Sequence, residues 1–220
     1  MQKLDVLSKS YFQSEDVTYL AKDLLGKLLC TKVNNEICKA RIVETEAYEA
    51  PLDRASHAFD YKRTKRTEVM YAQGGTVYVY LCYGIHNMFN IVTGPKDLPH
   101  AVLFRAVEPI ENVETMHQRS QNNKDALCLA SGPGNLCKAL GIQLSHNGIQ
   151  LKHPLDSIQE DHSDAIWVEQ SSVNEYSFEI VSTPRVGISY AKECANWDYR
   201  FRIKDHKSNS KPNKVKYESV

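Results

Sequence analysis

Apolar positions set the rhythm of the chain. Val17, Leu20, Ala21, Leu24 and Leu25 recur at helical spacing. Ser14 is the predicted N-cap, Glu15 and Asp16 place negative charge in the first turn, and Gly26 suits the C-terminal stop. The period then changes to two. Leu28 to Val33 and Ile37 to Thr45 predict two strands joined by a turn at Asn34-Asn35, and Pro51 closes the second arm. A polar, basic stretch without periodicity runs to about Arg66. After a turn at Gly74-Gly75, strands are predicted at Thr76 to Cys82, Met88 to Thr93 and Ala101 to Val107, with a break at Tyr83-Gly84. A helix is expected from Ile110 to about Gln121, and a shorter one after Gly132-Pro133-Gly134, closed by Gly141. Trp167-Val168, Phe178 to Val181 and Arg185 to Ile188 read as short strands. Strands cluster instead of alternating with helices, which predicts a single α+β domain with a largely antiparallel sheet.

A few polar residues break this pattern where they should not. Ile42 and Val43 begin like a buried strand, yet Glu44 and Glu46 follow at alternate positions, then Tyr48. Side chains two apart share one face of a strand, so two carboxylates and a phenol project together. Burying such a group without partners is costly, so it either performs chemistry or closes an ion pair. Glu46 can serve as a general base toward water. Equally, it can form a structural ion pair with Arg105, which sits inside another apolar run; the two roles are compatible, since an arginine can orient a carboxylate. Glu44 has no reading beyond an ion pair or hydrogen bond.

Tyr78 and Tyr80 share one strand face and Val77, Val79 and Leu81 the other. Aromatic groups near basic residues suit nucleobase stacking, although strand tyrosines are ordinary core material. Tyr83 follows at the break, where Gly84 allows a turn that would push it outward. Asn90 lies within Met88-Phe89-Asn90-Ile91-Val92, where an amide needs partners and is either structural or a reader of a polar ligand. His57 sits on the polar loop, where a solvated surface histidine is the plain alternative. His86 and Asn87 lie close to Tyr83 with no role legible.

Composition narrows the class. The chain has 220 residues, 42% hydrophobic and 25% charged, as expected of one globular domain. No apolar window reaches membrane-spanning length and the first ten residues carry no signal-peptide core, so an intracellular protein (bacterial cytoplasm or nucleoid, or a eukaryotic nucleus) is expected. Cys30, Cys38, Cys82, Cys128, Cys137 and Cys194 form no C-x-x-C pair, which predicts reduced thiols and neither zinc nor an iron–sulfur cluster. Net charge is zero, but Arg54, Lys62, Arg63, Lys65 and Arg66 cluster, as do Arg200, Arg202, Lys204, Lys207, Lys211, Lys214 and Lys216. Such clusters form phosphate-binding faces or solvated loops. The last residues, 205–220, read as a basic, flexible tail after a domain spanning 1–204.

Taken together these segments resemble the alkyladenine (3-methyladenine) DNA glycosylases. The resemblance is carried by R-I-V-E-T-E-A-Y from Arg41, A-S-H-A from Ala55, G-T-V-Y-V-Y-L-C-Y-G from Gly75, N-I from Asn90 and V-L-F-R-A-V-E-P from Val102. A-S-G-P-G-N-L-C-K-A-L-G-I from Ala130 and T-P-R-V-G-I from Thr183 continue it in order, so it covers about Ala21 to Ile203. The resemblance implies a curved antiparallel sheet surrounded by helices, and a monofunctional glycosylase that flips alkylated or deaminated purines from double-stranded DNA. It implies Glu46 as the base activating water and Arg105 as the arginine holding water and carboxylate. Tyr48, His57 and Tyr80 correspond to walls around the flipped base, Tyr83 to the residue intercalated in its place, and Asn90 to a gate against the amino group of guanine. No cofactor and no metal is expected, and a monomer. Two other classes compete: a DNA-binding module without catalysis, and a metal hydrolase using Glu44, Glu46 and His57. A chelator would stop the latter and leave a metal-free glycosylase unaffected.

Overall fold

A computed structural model describes residues 6–121, 125–153, 163–171 and 177–211. It is an α+β domain built on one eight-stranded sheet in which the pairings are antiparallel. β1 (Leu28–Val33) and β2 (Glu36–Glu49) form the predicted hairpin, and Asn34 and Asn35 both take the positive φ its two-residue turn requires. β3 (Val77–Cys82), β4 (His86–Thr93) and β5 (His100–Glu111) follow as a meander, and β5 returns alongside β2. β6 (Ala165–Glu169) covers the free edge of β1. β7 (Ile180–Thr183) and β8 (Arg200–Ile203) form a hairpin whose second arm pairs Glu44, Thr45 and Glu46 of β2.

Helices α1 (Val17–Asp23), α2 (Val113–Ser120) and α3 (Pro133–Leu140) pack on this sheet. Val17, Leu20 and Ala21 of α1 and Leu136, Ala139 and Leu140 of α3 join Val77, Val79, Phe89, Ile91 and Phe104 in the main core. Burying each such side chain contributes about 1.5–3 kcal/mol. Period two holds along β3: Val77 and Val79 enter this core, whereas Tyr78 and Tyr80 face a second apolar cluster with Met70, Tyr71 and Val92.

Several expectations are corrected. Asp16, not Ser14, caps α1, because its carboxylate accepts the Tyr19 N–H at 2.8 Å. β2 runs four residues past Thr45, to Glu49, because β5 pairs with it as far as His100. β5 in turn absorbs Ile110 and Glu111, so α2 begins at Val113; Pro109 lacks an N–H but sits at a register shift where the ladder is already broken. Residues 185–188 form a loop, not a strand: Arg185 points inward and Gly187 has φ +77°. The cluster at Arg200–Ile203 is itself a strand with Arg200 and Phe201 buried. Residues 205–211, assigned to the tail on composition, fold back so that Ser208, Asn209 and Ser210 are buried. Lys214 and Lys216 lie outside the described residues. All six cysteines are free thiols, four of them buried.

Candidate active site

β2 delivers Glu44, Glu46 and Tyr48 to one face, while Thr45 on the other face donates its hydroxyl to the Ala21 carbonyl of α1 at 2.6 Å. The bulges around Glu44 keep the acidic face and the core-facing Ile42 and Val43 apart. Glu46 has no exposed surface. Its Oε2 accepts the Tyr48 hydroxyl at 2.8 Å, and its Oε1 accepts the Val186 N–H at 3.0 Å and faces Arg105 Nη1 at 3.2 Å. Burial, reinforced by the negative charge of Glu46, raises the Tyr48 phenol well above its ordinary value, so it stays protonated and donates. Burial disfavours the Arg105 charge, but Glu46 and Glu44 outweigh it and hold the guanidinium firmly protonated.

Beside this trio lies a cavity of about 520 Å³. Tyr48, His57, Tyr80, Tyr83, Asn90 and Arg105 all line it, and Glu46 stands directly behind Tyr48 and Arg105. The sequence-predicted residues therefore converge from β2, β3, β4, β5 and the loop after β2. His57 packs edge-on against Tyr80, with centroids 4.6 Å apart. Arg66 Nη2 meets His57 Nε2 at 3.3 Å, and an arginine only donates. Nε2 is thus the acceptor, and Nδ1 carries the proton toward the Tyr78 hydroxyl, 2.9 Å away. Burial, with Arg66 and Lys62 nearby, pushes the imidazole down to about 4, so it is neutral at physiological pH. Asn90 is buried, and its amide nitrogen donates to the carbonyls of Tyr78 at 3.1 Å and Met88 at 3.3 Å, which fixes its orientation.

Tyr83 stands apart from the packed groups: it is 90% exposed, at the tip of the β3–β4 hairpin, with φ +51° followed by Gly84 at +72°. The hairpin is pinned to the body. Asn87 reaches the Ile142 carbonyl at 3.4 Å, and His86 packs so closely over Gly134 that a Cβ there would lie 3.0 Å from its ring.

Other contributors were not legible. Arg66 lies 5.0 Å over the Tyr80 ring and lines the cavity. Arg185 lies 4.7 Å behind the Tyr48 ring, locked to Asp53 with both side chains fully buried. Arg185 falls inside the T-P-R-V-G-I segment, the one signal available for it; Asp53 carried none. Glu44 accepts from Arg105, Arg200 and Ser210, and these charges hold its carboxyl below the usual range although burial alone would raise it. Among the described residues no three His, Cys, Asp or Glu side chains group as metal ligands, and no helix is long and apolar enough to cross a membrane.

Residues 11–207 match the family described as methylpurine-DNA glycosylase (MPG). A relative from Chlamydia felis, named "Putative 3-methyladenine DNA glycosylase", is 42% identical over 204 residues, covering 92% of this chain and 98% of its own. Relatives of the same name from Clostridium perfringens strain 13 and Bdellovibrio bacteriovorus are 41% and 40% identical, covering 91% and 89% of this chain and 97% and 94% of theirs.

Proposed function

The chain belongs to the methylpurine-DNA glycosylase family, and from that premise we propose that it excises alkylated or deaminated purines from duplex DNA with a water molecule activated by Glu46. The observation that carries this reading is a wholly buried carboxylate, hydrogen-bonded by Tyr48 and the Val186 N–H and ion-paired with Arg105, directly behind the Tyr48 and Arg105 wall of an aromatic cavity that also reaches the exposed Tyr83. At about 520 Å³ the cavity falls in the range of small-molecule sites, roughly 300–1,000 Å³, and is roomy enough for a purine.

A base inside a duplex is out of reach, and rotating it out costs roughly a few kcal/mol, less when it is mispaired or damaged. Tyr83 enters the gap and opposes return. Tyr48, His57 and Tyr80 enclose the base, and electron-rich rings add about 0.5–2 kcal/mol for a cationic alkylpurine. Asn90, tied to two strand carbonyls, cannot step aside for the exocyclic amino group of guanine. The oxygen of water bonds to the sugar carbon as the glycosidic C–N bond breaks. Glu46 takes the proton, and the bonding pair leaves with the base. Lysine is missing from the residues described around the cavity, which supports simple hydrolysis without a Schiff-base strand cleavage.

The test is stoichiometric protein with duplexes containing hypoxanthine or methylated adenine, followed by alkali to reveal abasic sites. Free base and alkali-dependent cleavage are expected, with no nicks before alkali and no borohydride-trapped adduct. Absence of abasic sites across both lesions would overturn the reading.

A further inference from the structure

Glu44 is fully buried, is hydrogen-bonded to the cavity residue Arg105, and sits one strand repeat from Glu46. Its Oε1 accepts from Arg105 Nε at 2.9 Å, Arg200 Nε at 2.7 Å and Ser210 Oγ at 2.8 Å, and its Oε2 accepts the Ser210 N–H at 2.6 Å. The Ser210 hydroxyl also lies 3.4 Å from Arg105 Nη2, and a hydroxyl can donate to one group while accepting from another. All three guanidinium nitrogens of Arg105 are thereby assigned: Nε to Glu44, Nη2 to Ser210, Nη1 to Glu46. Ser210 is held in turn, because Arg200 Nη2 donates to its carbonyl at 3.2 Å and Asn209 anchors to the Ile203 carbonyl at 2.7 Å. Ser210 also falls beyond the residues that match the family, which end at 207.

We propose that Glu44 and Ser210 are positioning residues for base release: the segment Ser208–Ser210 locks Glu44, and Glu44 shares the charge and fixes the direction of Arg105 so that Glu46 keeps a lone pair for water. The proposal rests on Glu46 acting as the base. A carboxylate offers about four lone-pair positions; hydrogen bonds from Tyr48 and Val186 occupy two at Glu46, and Arg105 Nη1 approaches it only as an ion pair at 3.2 Å. If Glu44 no longer held Nε, Arg105 would be free to turn its full fork onto Glu46, the geometry carboxylates prefer, and fill the remaining positions. Two carboxylates and two guanidiniums make the cluster neutral, so it tolerates burial.

The experiment compares full-length wild type, Ser210→Ala, Ser210→Thr, Glu44→Gln and Glu46→Gln in single-turnover release from a 3-methyladenine duplex between pH 5 and pH 8. This lesion leaves as a neutral base without a proton donor, so its acid limb reports the base. Charged or titratable groups facing Glu46 are Tyr48, Tyr80, Arg105 and Arg185; those facing Glu44 are Arg105, Arg200 and Arg202. S210A is expected to lower the maximal rate about 10-fold, the worth of one hydrogen bond to a charged group, with half-saturation by DNA unchanged. Its acid limb should move to lower pH as Arg105 concentrates on Glu46, and S210T should restore most of both. E44Q should shift both further in the same direction; if it fails to fold, S210A and S210T decide. A wild-type maximal rate and acid limb in S210A overturns the proposal, as does a loss confined to thermal stability or half-saturation. The E46Q control separates the two layers: an active E46Q removes the base and this proposal with it, whereas an inactive E46Q beside an unaffected S210A overturns the positioning alone.

Discussion

Replacing Asp53 by Asn leaves a buried cation without its counter-ion. Arg185 and Asp53 are both fully buried, paired through both guanidinium Nη atoms, one of them to Oδ1 at 2.8 Å. The same guanidinium donates to the Ala47 carbonyl at 2.8 Å and the Cys194 carbonyl at 3.2 Å, and lies 4.7 Å from the Tyr48 ring. Asn preserves the size of the side chain and an oxygen for the Ala55 N–H, which Asp53 Oδ1 accepts at 3.0 Å. The change is therefore chiefly one of charge. Removing one partner of such a pair costs about 3–5 kcal/mol. In a domain near this size each kcal/mol moves Tm by roughly 2–4 °C, so D53N should melt about 6–20 °C below wild type. Adding Arg185→Met removes the stranded charge, and the double variant should regain most of the loss. A reversible thermal scan by circular dichroism reads both. D53N within about 2 °C of wild type, or a double variant as unstable as the single one, would refute the reasoning.

Two further outcomes follow from exposure and protonation. Tyr83→Ala, at a side chain 90% exposed, should leave stability within about 0.5 kcal/mol but slow release from a fully paired duplex about 10-fold, the size of a lost stacking contact. The loss should shrink for a lesion in a bubble, and an equal loss in both substrates contradicts a wedge role. His57, held down at about 4 against about 6.5 when unfolded, refuses a proton that the unfolded chain accepts as pH falls. Stability present above about pH 6.5 is thus lost progressively toward pH 4, by up to about 1 kcal/mol per pH unit. His57→Gln should narrow the Tm difference between pH 7 and pH 5, and an unchanged difference contradicts the assignment. His100, also lowered by burial, keeps part of the dependence in place.

Where one physical rule governed a segment, the sequence was legible. The β1–β2 hairpin followed from alternation and two asparagines that tolerate positive φ, and the two faces of β3 from period two alone. The shared face of Glu44, Glu46 and Tyr48 was readable for the same reason. What failed depended on distant partners. Pro109 suggested a helix start, but β5 continues because β2 offers a register shift there. Arg200–Ile203 read as surface charge, yet Arg200 is buried by a carboxylate 156 residues away in sequence. Ser210 looked like tail composition, yet it is buried and hydrogen-bonded to Glu44, Arg105 and Arg200, all distant in sequence or on another element. Arg66 stood in a basic run, with nothing local to place it over Tyr80.

The account turns on Glu46 as the group that activates water. Glu46→Gln keeps the side chain's size and its place between Tyr48 and Arg105 while removing its capacity to take a proton. Single-turnover release from a 3-methyladenine duplex, measured beside binding to the same duplex, tests it directly. The account predicts damaged-DNA binding close to wild type with base release abolished. Release by E46Q at a rate comparable to wild type, with binding intact, would contradict it.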